Sequence, residues 1–118
     1  MDLFQNARIF CQLFCMQTFV DIPTETWNQL MDKLLKQGWK AVYRYDAFDA
    51  GIDFDLVVLK KGEARLYMGW TNWFEGEIQG EEESLCKVES VASQKLRRGS
   101  PEALKPEVID LYRRKFRF

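Results

Sequence analysis

Carboxylates are the side chains of this chain best able to do chemistry. Segment 46–89 carries eleven acidic and four basic side chains. No histidine occurs anywhere in the 118 residues. The commonest general base near neutral pH and the commonest metal ligand are therefore missing, and Ser-His-Asp, Cys-His and His-containing zinc sites are excluded. Chemistry would fall to carboxylates, cysteine, lysine or tyrosine. Of these, Asp53, Asp55, Glu75 and Glu77 lie at alternating positions in two segments that read as strands. Alternating side chains share one face of a sheet.

The face they would share follows from the turns. A three-residue turn at Lys60-Lys61-Gly62, with Gly62 left-handed, pairs Leu56 with Leu66 and Phe54 with Met68. The next turn has two solutions. A two-residue loop at Thr71-Asn72 would place Glu75 and Glu77 among apolar side chains, and burying unpaired carboxylates is costly. A three-residue loop, Thr71-Asn72-Trp73, puts Phe74, Gly76 and Ile78 there instead, and is the expectation. The opposite face then carries rows Asp55-Tyr67-Glu77, Asp53-Gly69-Glu75 and Val57-Arg65-Gln79. Outer carboxylates of one row stand roughly 10 Å apart, and Gly69 leaves a dent between its neighbours.

Such a face has three readings. It is a solvated sheet surface; or a docking face for a basic partner, with Tyr67 and Trp73 as anchors; or a carboxylate site for acid–base work or a divalent cation. Carboxylates spread over a flat sheet seldom converge on one ion. The loop from Asp46 to Asp53 has acids three and four apart without the calcium-loop pattern. The expectation is no catalytic residue, no metal site and no cofactor. The candidate binding residues are Asp53, Asp55, Tyr67, Gly69, Trp73, Glu75 and Glu77. Trp73 stands out because an indole in a loop is suited to contact.

The elements that would hold these residues are legible from periodicity. Trp27, Leu30, Met31, Leu34 and Leu35 form one helical stripe. Pro23 and Glu25 suit its start, Lys33 and Lys36 its last turn, and Gly38 its C′ position. Strands are expected at about 39–45, 52–59, 63–70 and 74–79. A helix is expected at 81–97, buried through Leu85, Val88, Ala92 and Leu96, with glutamates at its start and Lys95, Arg97 and Arg98 at its end. A last helix runs from Pro106 to about Lys115. Residues 3–16 fit both a helix and a strand, with a lean to helix. The fold expected is one α+β domain over 1–118: a four-stranded antiparallel β-meander with helices packed on one face.

Composition narrows the class further. Hydrophobic residues are 47% and aromatics 14%, enough for a packed core without metal or disulfide. Three cysteines, Cys11, Cys15 and Cys86, are no disulfide framework. They are expected as buried thiols in a reducing compartment, the cytoplasm. The apolar patch at 9–16 is too short to span a bilayer, and with Asp2 ahead of it and no small-residue cleavage site it is not expected to be a signal peptide. The basic tail Arg113-Arg114-Lys115-Phe116-Arg117-Phe118 is expected to pack its phenylalanines on the domain or pair with acids in the same or a second copy. Nucleic acid is not expected as a partner, because the acidic face repels phosphate. No nucleotide-binding or nucleophile motif occurs.

In size, charge and layout alone the chain is similar to small, acidic, single-domain bacterial immunity or antitoxin proteins, which cover a toxin's basic surface. No motif carries that likeness and no residue is transferred by it. It implies a non-enzymatic interaction domain with a basic protein partner. The alternatives are a small-molecule or metal-dependent enzyme using the clustered carboxylates, and a structural subunit, for instance of a homodimer.

Overall fold

The computed structural model describes residues 16–118. The chain runs through β1 (Met16–Ile22), α1 (Thr24–Lys36), β2 (Lys40–Arg44), β3 (Phe54–Lys61), β4 (Ala64–Thr71), β5 (Glu75–Glu81), α2 (Glu82–Ala92) and α3 (Pro106–Phe116). The sheet has five antiparallel strands in the order β1-β5-β4-β3-β2. Four of them are the expected meander. The fifth, β1, was not expected. Its Thr18, Phe19, Val20 and Ile22 are strand formers, and it pairs with β5 on the far side of the sheet. The helix expected over 3–16 falls almost wholly outside the described residues.

The hairpin between β3 and β4 is tighter than the sequence reading allowed. Lys61 pairs with Ala64, so the turn is the two residues Gly62-Glu63. Gly62 has φ of 61° at the first turn position, where a type II′ hairpin favours glycine. Phe54 therefore pairs with Thr71 rather than Met68. A displacement by an odd number of residues exchanges the two faces of a strand. Val57 and Leu59 join Leu66, Met68 and Ile78 on one side, while Leu56 and Val58 join Tyr67 on the other. The β4–β5 loop is three residues long as expected, but it is Asn72-Trp73-Phe74, since Thr71 pairs with Glu75. This displacement is by two, so the faces of β5 stand as expected.

Both faces of the sheet are covered, which corrects the expectation of helices on one face. On the first face α1 and α2 bury Trp27, Leu30, Leu34, Leu85 and Val88 against the sheet. Gly76 makes room for Trp27: a β-carbon on residue 76 would lie 2.5 Å from the indole Cδ1. The indole N–H donates to the Glu77 carbonyl at 3.1 Å. On the second face Leu104 and Ile109 cover Leu56, Val58 and Tyr67. An aromatic layer extends that core, with Phe118 stacked on Tyr43 at 4.8 Å and Phe116 5.0 Å from the same ring. The phenylalanines of the basic tail pack on the domain, as their spacing suggested.

α2 ends earlier than expected. Ser93 takes a left-handed φ of 56°, and the Glu89 side chain accepts the Leu96 N–H at 3.0 Å. Arg97 and Arg98 thus leave the helix and pair with Asp21 and Glu82. Residues 97–99 run along the outside of β1. Val20 N–H donates to the Arg97 carbonyl at 2.8 Å and Gly99 N–H to the Thr18 carbonyl at 3.1 Å. The opposite edge of the sheet, β2, has no strand beyond it among the described residues. Its register shifts between Ala41 and Tyr43, and Val42 is exposed.

Candidate functional site

The exchange of faces in β3 separates the seven candidate residues into three environments. Asp55 is on the α1 side of the sheet, opposite Trp70. It is nearly buried and accepts the Leu56 N–H at 2.9 Å. Burial pushes its carboxyl above the ordinary range, against the opposing pull of that N–H and of Arg44. Asp55 does not share a surface with Glu77, and the expected rows of carboxylates do not form.

Tyr67, Gly69 and Glu77 do share a face, but it is roofed by residues 101–113. Tyr67 is 2% exposed and Glu77 is 1% exposed. The Glu77 carboxylate accepts three backbone N–H groups, from Glu102 at 2.8 Å and from Ala103 and Leu104 at 3.1 Å each. Those donors replace the water that a buried carboxylate gives up. The dent expected at Gly69 exists, and Leu104 fills it: a β-carbon on residue 69 would lie 2.7 Å from Leu104 Cγ and Cδ2. These three residues form a clasp that pins the Ala103-Leu104 segment to the sheet.

Asp53, Trp73 and Glu75 come together at one end of the sheet. The β2–β3 loop and the β4–β5 loop both lie there, joined by the Asn72 N–H donating to the Asp53 carbonyl at 3.2 Å. The two loops expose Phe48 at 96%, Trp73 at 70%, Ile52 at 63% and Phe74 at 49%. Asp46, Asp49, Asp53 and Glu75 are interspersed among these side chains, and neither loop contains a lysine or arginine. Sequence reasoning found Trp73 but placed Ile52 and Phe74 in the core. With the observed register both lie beyond the paired strands, where nothing among the described residues covers them.

Hydrogen bonds cross-tie this end of the sheet. Asp49 accepts the Tyr45 hydroxyl, its own carbonyl accepts the N–H groups of Ile52 and Asp53, and the Phe54 carbonyl accepts that of Gly51. The bond to Asp49, followed by burial, pushes the Tyr45 hydroxyl up to about 12, so this phenol is a structural donor at neutral pH. The Thr71 hydroxyl accepts the Phe74 N–H at 2.9 Å, and Thr24 ties the end to α1 by accepting the Trp70 indole N–H at 2.9 Å.

Among the described residues no three Cys, Asp or Glu side chains converge as ligands for one ion. Among the described residues no helix is long and apolar enough to cross a membrane. Cys86, expected to be buried, is an exposed free thiol, because its position on α2 faces away from Leu85 and Val88. No family model, curated protein or solved structure matches the chain.

Proposed function

We propose that this chain is a non-enzymatic interaction domain that docks the 46–53 and 72–75 end of its sheet on a basic protein partner. The observation that carries this reading is the exposure of Phe48, Ile52, Trp73 and Phe74 on two bonded loops whose charged side chains are all acidic. Large apolar groups held in water mark contact surfaces. Aromatic anchors inside a charged rim are the usual anatomy of an interface. The carboxylates supply steering and orientation toward positive charge, and the apolar groups supply the affinity.

The surface differs from the acidic sheet face expected from the sequence. Asp53, Trp73 and Glu75 remain in it; Tyr67, Gly69 and Glu77 hold the roof of the second face instead, and Asp55 is buried on the α1 side. The likeness to immunity and antitoxin proteins rests on the same charge logic and on no shared residue. An exposed Cys86 thiol fits a reducing compartment, the cytoplasm.

The test compares capture of partners by the wild type, Trp73→Ser, and Asp53→Asn with Glu75→Gln, at low and moderate salt. Trp73 and Glu75 are exposed and Asp53 is half-buried, and substitutions at such positions should change stability by no more than about 1 kcal/mol, so thermal unfolding of each variant separates loss of binding from unfolding. The expected result is a basic partner lost from Trp73→Ser at both salts and weakened in the neutralised variant chiefly at low salt. A partner retained equally by all three proteins refutes the assignment of this end.

A further inference from the structure

A second feature lies on the roofed face, away from the two acidic loops. Between α3 and the β1, β5 and β4 strands is an open cleft of about 630 Å³. That is within the range of about 300–1,000 Å³ typical of small-molecule sites. Its apolar lining includes Met16, Pro101 and Ile109, and its polar lining includes Thr18, Gln79 and Arg113. The Gln79 amide donates to the Thr18 hydroxyl at 3.0 Å, which holds that wall in place.

Arg113 gives the cleft its chemistry. Its Nη2 donates to the Tyr67 hydroxyl at 2.8 Å, and its guanidinium carbon stands 5.8 Å from the centre of the Tyr67 ring. Its Nε is buried with no hydrogen-bond partner among the described residues. No carboxylate among those residues pairs with it, whereas the neighbouring Arg114 pairs with Asp110 at 3.1 Å. A half-buried guanidinium stays charged, and holding such a charge without a counter-ion is costly. An anion placed in the cleft removes that cost.

The lining also restricts which anion. Glu107 and Asp110 are exposed residues of the same cleft. They repel multiply charged anions, while a single carboxylate on a carbon skeleton avoids much of that repulsion and uses the apolar wall. We propose that this cleft binds a small organic molecule carrying one carboxylate, with its charge on Arg113 and its skeleton against Met16, Pro101 and Ile109.

The test is amide NMR of the full chain titrated with hexanoate, with hexanol as the uncharged analogue and with inorganic phosphate as the multiply charged one. Millimolar hexanoate is expected to shift the amides of Thr18, Gln79, Ile109 and Arg113, with hexanol and phosphate at least about tenfold weaker, the ratio set by one charge-assisted contact. Arg113→Gln, shown to be folded by its own spectrum, is expected to lose the hexanoate shifts. If that variant fails to fold, the three wild-type titrations decide. No shift with hexanoate, equal shifts with hexanol, equal shifts with phosphate, or full retention in folded Arg113→Gln would each overturn the proposal.

Discussion

Replacing Glu77 should unfasten the roof over the second face of the sheet. The carboxylate is the acceptor for the N–H groups of Glu102, Ala103 and Leu104, and Ala103 and Leu104 are themselves buried. Glu77→Ala leaves those donors without an acceptor. An orphaned buried donor costs about 1–3 kcal/mol, so three, one of them partly hydrated, come to about 3–5 kcal/mol. Against a typical domain stability of about 5–15 kcal/mol this is a large share. At about 4 °C per kcal/mol the melting temperature should fall by more than about 10 °C. Glu77→Gln is the graded control. Its amide keeps one oxygen for two N–H groups but turns a donor toward the third, so it should lose about half as much, roughly 2 kcal/mol. Urea unfolding of the three proteins measures the ranking. Hydrogen exchange at residues 102–104 shows whether the loss is local or global. Glu77→Ala within about 1 kcal/mol of the wild type, or Glu77→Gln the weaker of the two, would refute the clasp.

Three further predictions concern the same framework. Gly69→Ala forces a methyl to within 2.7 Å of Leu104 and should cost about 1–3 kcal/mol; Leu104→Ala in the same chain should recover part of that loss, a coupling read by a double-mutant cycle. Asp55 is raised by burial, so the native state holds its proton more tightly than the unfolded state, and stability should fall as pH rises through the raised value. Asp55→Asn, whose amide oxygen still accepts the Leu56 N–H, should remove that slope and be the more stable protein at neutral pH, measured by urea unfolding from acid to neutral pH. Tyr45→Phe removes the hydroxyl held by Asp49, and an ultraviolet titration should then lose the phenol that ionises only at about 12.

The elements with a period were legible in the sequence. The stripe from Trp27 to Leu34 is α1, and the four apolar runs are β2 to β5. What misled was turn length. Counting Lys60 and Lys61 into the first turn and leaving Glu63 out of it moved β3 by three residues, and that one choice exchanged Leu56 and Val58 with Val57 and Leu59. It also put Asp55 on the same face as Glu77, across Tyr67. A signal against that choice lies in β3 itself: Leu56-Val57-Val58-Leu59 is continuously apolar, as a strand covered on both faces requires. Read that way, a second apolar layer was due, and Leu104 and Ile109 were available to make it. The role of Glu77 had no such signal. A buried carboxylate satisfied by N–H groups 25–27 residues further along is a tertiary arrangement, and no local pattern encodes it. Trp73 was found because its loop was placed nearly correctly.

The edges of the sheet limit how copies of this chain can join. Residues 97–99 occupy the outer side of β1 with backbone bonds of their own, so that side has little left to offer a second sheet. β2 retains free backbone donors and acceptors among the described residues, broken by its irregular register and flanked by Lys40 and Arg44, the charges that commonly discourage edge pairing. A body with one open edge can join another such body once and no more. Pairing through β2 would use the same edge twice across a two-fold axis and close. Strand-by-strand growth into a fibre, which needs two open edges on every copy, has no path through the described strands until the 97–99 strap is peeled from β1.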